Sequence, residues 1–280
     1  MKSRETDALG FLIFMVYDAR AARLIPEESP MMNQLDAVEP YEPLRTRAYL
    51  AIGFLAANIV THLAAAASKV MQIDLLYKMI ERLGDVTPAQ VQANDVREAI
   101  VQLIVFVNLV AAGIVFLVWT YAAYKNLRAL GANPDTSPGW AVGYFFIPIA
   151  NLFRPFQVFQ EMWRESDPET VAAGGGRPMH AFIEDSSKSL LIIVWWGLWL
   201  LSNIIPLIAV GYRGSAQLLN DFINASWISM VSDLVTILAA IACIMVIKKI
   251  TDRQDERARR LAALAAAPTP PEGMSSSQPA

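Results

Sequence analysis

Cysteine and histidine are nearly absent: the 280 residues hold one cysteine, Cys243, and two histidines, His62 and His180. A single cysteine excludes an intramolecular disulfide framework and a cysteine-based zinc site. Charged residues are scarce, at 18% of the chain, against ~25% in ordinary soluble domains. A net charge of −3 gives no basic face for nucleic acid. Catalytic signatures are missing as well: there is no His-Glu-x-x-His motif, no Gly-x-Ser-x-Gly elbow, no phosphate-binding loop and no pair of intramembrane aspartates. The triple glycine Gly174-Gly175-Gly176 is too little to hold a phosphate and reads as a flexible linker over 171–178. The expectation is therefore a protein that is not an enzyme and carries no cofactor or metal.

What remains is apolar, and it comes in blocks. Hydrophobic residues make up 55% of the chain, and the mean hydropathy is +0.36. Stretches without Asp, Glu, Lys or Arg run over Ala48–Ser68, Ala99–Tyr124, Thr136–Phe153 and Ser189–Tyr212, and Phe222–Ile247 is broken only by Asp233. Runs of ~18 or more apolar residues read as membrane-spanning helices. The third stretch is the exception: its solid apolar part, Trp140–Ala150, is short and contains Pro148. Such a run enters a membrane partway or lies on it. After Arg154-Pro155, one helical face carries Leu152, Phe156, Val158, Phe159, Met162 and Trp163, and the opposite face carries Arg154, Gln157, Gln160, Glu161, Arg164 and Glu165. That pattern predicts an amphipathic helix at the membrane interface.

The distribution of positive charge decides the count of spans. Four spans with both ends inside leave 18 of the 23 basic residues on the inner side. A fifth span at Trp140–Phe153 would send the basic C-terminal segment outside. The predicted fold is thus an all-α integral membrane protein with four transmembrane helices, a re-entrant or interfacial amphipathic helix and an external helical hairpin. The membrane domain covers 44–260, with spans at about 46–67, 99–124, 189–211 and 225–247, the interfacial segment at 139–166 and the hairpin at 68–97. Thr87-Pro88-Ala89-Gln90 reads as a capping box that starts the hairpin's second helix. Residues 1–43 form an irregular lead-in, and 261–280, rich in Ala, Pro and Ser, a disordered tail. Glu5, Asp7 and the Asp18-Ala19-Arg20 segment argue against a cleaved secretory signal, and Met31 or Met32 offers an alternative start to Met1. The expected site is the bacterial cytoplasmic membrane, with N- and C-termini cytoplasmic.

Several residues resemble a known family. They are Trp140-Ala141-Val142-Gly143-Tyr144-Phe145-Phe146-Ile147-Pro148-Ile149-Ala150-Asn151-Leu152-Phe153-Arg154-Pro155-Phe156-Gln157, with Trp163, Asp167-Pro168, Trp195-Trp196 and Trp199, and Ile250-Thr251 with Arg253-Gln254. Together they resemble the bacterial multi-pass membrane family catalogued as domain of unknown function 4328, over roughly Leu44 to Gln254. The resemblance implies the order of two spans, the central motif, a Trp-rich span and a last span with a basic end. It implies no activity.

Polar residues inside spans are costly and are candidates for function. Counted from the inner basic flanks at 1.5 Å per residue, Asn58, His62, Asn108, Asn203 and Asp233 share one depth, ~20–25 Å above the inner surface. This predicts a polar cluster in the outer half, with Asp233 paired to His62 or bonded to the amides. The plainer reading is hydrogen bonding between helices. A second candidate site, for a lipid, an anion or a partner, is Trp140, Asn151, Arg154, Gln157 and Trp163 at the Pro-flanked break; its plainer reading is Arg154 snorkelling to the headgroups. Expected partners are the lipid bilayer and a partner protein or a second copy of the chain, with no nucleic acid. The sequence favours a membrane scaffold or regulatory subunit; the alternative is a channel or carrier for a small solute or proton that uses the polar cluster.

Overall fold

The chain divides into two units, Met1–Val38 and Glu39–Ala280. In this computed structural model the described residues are 40–81, 85–169, 179–215 and 218–266. The first unit, the glycine-rich linker and the end of the C-terminal tail therefore lie outside the described residues. Those described are all helical, without strands. They form α1 (Arg45–Glu81), α2 (Pro88–Ala129), α3 (Pro138–Gly143), two 3-10 turns (Tyr144–Phe146 and Ala150–Leu152), α4 (Arg154–Glu165), α5 (Met179–Ser215) and α6 (Leu219–Ala266). Four of them, α1, α2, α6 and the Leu190–Gly214 part of α5, are long and apolar enough to cross a membrane.

Local sequence explains the boundaries. Thr87 caps α2 with the capping box completed by Gln90 and Pro88 at the first helical position. At the other end, Gly131 takes φ +78, Ala132 N–H reaches back to the Leu127 carbonyl and Gly131 N–H to that of Arg128. This double bond pattern needs a left-handed residue, which glycine supplies without strain. Ser137 caps α3, where Pro138 follows. Pro148 and Pro155 then keep the chain between α3 and α4 from continuing as one helix. Segment 139–153 therefore holds only a short helix and two turns. α6 continues to Ala266, where alanines and leucines extend it.

The helices pack as two antiparallel pairs. α1 lies between α2 and α6, and α6 between α1 and α5. Glu42 meets Lys125 near one end of the α1–α2 pair, and Lys69 meets Glu98 towards the other. α2 and α5 make no extended contact with each other. They meet instead at an aromatic layer built on α4, where Phe159 stacks on Phe116 of α2 at 5.8 Å and lies 4.6 Å from Trp195 of α5. α4 is thus a wedge that holds α2 and α5 apart.

This corrects the expectation for the apolar face of α4. Val158, Phe159, Met162 and Trp163 are buried in the core of the bundle, not turned to lipid. Even Glu161 from the polar face is buried, accepting from Tyr124 Oη and the Asp135 N–H. A core face and a lipid face are equally apolar, so the pattern marked the right residues and the wrong surroundings. The most outward-facing apolar groups of 139–153 are Phe146, Ile149 and Phe153, which are 61–72% exposed, and Trp140, Ile147 and Leu152 are exposed as well.

The basic end of α6 also turns inward. Thr251 accepts from Trp119 Nε1, and Gln254 donates to the Ala123 carbonyl and to Ser166 Oγ. Arg253 bonds the Trp163 carbonyl, faces Asp167 and covers the Trp163 ring at 4.7 Å. Arg257 donates to the carbonyls of Leu130, Glu165 and Asp167, groups at the ends of α2 and α4 that have no helical partner. Tyr41 bonds Asp255, and burial followed by that bond pushes its hydroxyl above the usual range.

Candidate functional site

A cavity of about 570 Å³ lies inside the bundle and is lined from all four long helices. Its floor is aromatic and small: Phe116, Trp195, Trp199, Ala239, Ala240 and Cys243. Its middle holds Asn58 and His62 from α1, Ser202 and Asn203 from α5, and Ser229, Ser232, Asp233 and Thr236 from α6. Lys69 and Arg213 line it further along. Leu109 on α2 and Asn203, Val210 and Arg213 on α5 line the cavity yet are exposed, so it opens between α2 and α5. The gap follows from the wedge: α4 separates these helices at one end and nothing fills the space beyond it.

The central contact is His62 Nδ1 to Asp233 Oδ1 at 2.8 Å, bridging α1 and α6. Both side chains are nearly enclosed, at 11% and 13% exposure. At this distance the two share a hydrogen bond, which Nδ1 donates when it carries the proton.

Around the pair, three hydroxyl protons are already used. Ser202 Oγ donates to the Trp199 carbonyl, Ser229 Oγ to that of Ala225 and Thr236 Oγ1 to that of Ser232, while Asn203 gives an amide proton to the Trp199 carbonyl. Their oxygens remain as acceptors. Pro206, inside α5, also lines the cavity. Having no N–H, it leaves the Ser202 carbonyl without its helical donor.

Of the five residues placed at one depth by counting, Asn58, His62, Asn203 and Asp233 line this cavity. Asn108 does not; it is half-buried, and its Nδ2 is buried without a partner. The second candidate site does not stay together. Trp140, Arg154 and Gln157 are exposed, with Arg154 bonded to Gln157 and 5.5 Å from the Tyr144 ring centre. Asn151 is half-buried with Oδ1 unpartnered, and Trp163 is a core residue beneath Arg253. Trp163 therefore cannot share a surface site with Arg154.

Three features escape the sequence reading. Lys69 and Glu98 form a buried ion pair, with Ser68 also bonded to Glu98 and Arg97 bonded to Ser68. The signal was there: Lys69 ends the first charge-free stretch and Glu98 precedes the second, so a hairpin brings them level. Pro206 is announced by a proline inside an otherwise unbroken apolar run. The third is the set of inward bonds from Gln254 and Arg257, which the basic character of the segment conceals. Among the described residues no group of His, Cys, Asp and Glu is arranged to hold a metal ion. His180 lies in α5, and its side chain lies outside the described residues.

Four membrane-length helices around an internal cavity define a multi-helix membrane protein. The family profile described as "Domain of unknown function (DUF4328)" matches residues 82–252, more than half of the chain, which therefore belongs to that family. No curated protein and no solved structure matches it. The stretch 140–157 lies within the matched residues and supplies most of α3, both 3-10 turns and the start of α4, while Trp195 and Thr251 are buried.

Proposed function

We propose that this protein is a carrier in which the four-helix cavity binds a small solute and the His62–Asp233 pair handles a proton. The observation that carries this reading is the pair itself, nearly enclosed and opening onto a cavity walled by every long helix. A buried ionisable pair in a membrane interior is expensive to keep, which makes it a default candidate for a functional site. A scaffold or regulatory subunit needs no such cavity and uses the pair only as a bridge between α1 and α6. The protein acts without catalysing a covalent step.

The membrane setting belongs to the same proposal. The chain crosses the bacterial cytoplasmic membrane four times with both ends cytoplasmic, because most Lys and Arg then lie inside. At ~55 Å and ~63 Å, α1 and α2 are about twice the hydrocarbon thickness, so the end of α1 and the start of α2, which meet at Lys69 and Glu98, stand outside it. Phe146, Ile149 and Phe153 enter the inner leaflet from segment 139–153, with Arg154 at headgroup level. The cavity then faces the outer half, and the aromatic layer closes it from the cytoplasm.

The test is proton-coupled flux in liposomes. With an imposed proton gradient, a panel of amines, carboxylates and sugars is added to one side while an internal dye reports pH. The wild-type protein moves protons with at least one solute class, and Asp233→Asn and His62→Gln are silent although their thermal stability is kept. If no solute separates wild type from Asp233→Asn while crosslinking captures one stable protein partner, the scaffold reading replaces this one.

A further inference from the structure

The chemistry of the cavity wall points to one class of ligand. Ser202, Ser229 and Thr236 spend their hydroxyl protons on backbone carbonyls of their own helices, so their oxygens face a ligand as acceptors. Pro206 frees the Ser202 carbonyl, another acceptor with partial negative charge. When Asp233 is ionised, His62 Nδ1 donates to it, and Nε2 of the neutral ring is an acceptor too. Beyond this layer stand the rings of Trp195, Trp199 and Phe116. A carboxylate, several acceptor oxygens and aromatic rings together are surroundings that suit a desolvated cation. We propose that the cavity binds a lipophilic organic cation, an amine or quaternary ammonium or phosphonium with an apolar body, in exchange for a proton on the His62–Asp233 pair. This rests on the carrier reading and names its substrate class.

Three other charged or titratable groups line the cavity. Lys69 on α1 is held by Glu98 of α2, Cys243 of α6 lies at the floor, and Arg213 stands exposed towards the outer end of α5. Arg213 disfavours a small aqueous cation entering along that path. An apolar cation instead reaches the site from the bilayer through the gap between α2 and α5, where Leu109 and Val210 are exposed. Binding releases the proton from the pair to water, so charge is conserved as one positive charge replaces another.

Tetraphenylphosphonium and tetraphenylborate have nearly the same shape and opposite charge, which isolates the electrostatic part. Binding of each to the full chain in nanodiscs is measured by equilibrium dialysis against empty nanodiscs. The cation binds saturably, and its affinity falls roughly tenfold per pH unit on the acid side, where the proton wins. Asp233→Asn weakens it about tenfold or more, and the borate does not saturate. If Asp233→Asn fails to fold, the pH dependence and the comparison of the two ions on the unaltered protein decide the matter. Saturable borate binding lost in Arg213→Gln would overturn the proposal in favour of an anion site. Phosphonium binding indifferent to pH and to Asp233 would overturn it as apolar adsorption. If phosphonium does not bind but another solute moves protons in an Asp233-dependent way, the substrate class is wrong and the carrier reading stands.

Discussion

A polar residue in an apolar stretch reveals its depth but not its direction. Depth follows from the helical rise, so counting from the basic flanks brought Asn58, His62, Asn203 and Asp233 to one level, and all four line the cavity. Direction depends on rotation about the helix axis, which the surrounding apolar residues of α2 do not fix; hence Asn108, at the same depth, sits away from the cavity. Lys69 and Glu98 show the same limit. As charges they read as solvent-facing, yet the α1–α2 contact buries both. Removing one partner of such a pair strands the other, whereas removing both is tolerated. Lys69→Met alone is therefore expected to cost about 3 kcal/mol, and the double variant Lys69→Met with Glu98→Met to recover most of it. Thermal unfolding in detergent measures both. Equal losses in the single and the double variant would mean that the pair does not carry the contact.

At the scale of elements, α4 shows what periodicity can deliver. The apolar stripe was legible residue by residue, but the stripe does not say whether lipid or protein covers it. The cover became visible only through α6, whose Arg253, Gln254 and Arg257 bond carbonyls and side chains around α4 and the end of α2. Arg257→Met is expected to lower stability by about 2–3 kcal/mol, since it leaves buried carbonyls unbonded. Arg154→Gln, on the exposed side, leaves the unfolding temperature unchanged. A result in which Arg154→Gln destabilises as much as Arg257→Met would contradict the wedge. Ahead of α1, hydrogen bonds from Lys125 and then Arg47 hold the Glu42 carboxyl below the usual carboxylate range. A carboxyl lowered on folding contributes fully above its ordinary pKa of 4.5 and loses that contribution as pH falls through the lowered value. Glu42→Gln should flatten the acid arm of the stability profile in that window, which pH-dependent unfolding measures.

For the whole molecule, the arrangement of helices explains why there is a cavity. Two antiparallel pairs joined along α1 and α6 would close into a bundle if α2 met α5, and α4 with its aromatic layer prevents that. The four spans were legible because length and apolarity suffice to define them. The wedge was not, because it depends on contacts among Phe116, Phe159 and Trp195 from three separate elements. The central claim is that this space is open from the outer half of the membrane and closed from the cytoplasm. Its most direct test is thiol accessibility in a Cys243→Ala background, with Ser202→Cys in the cavity wall and Ile204→Cys on the exposed side of α5. A membrane-impermeant anionic methanethiosulfonate, which Arg213 does not repel, needs a hydrated thiolate to react. The account predicts that Ser202→Cys is labelled in intact cells and protected by tetraphenylphosphonium, while Ile204→Cys stays unlabelled. Labelling of Ser202→Cys only in inside-out vesicles, or equal labelling at both positions, would contradict it.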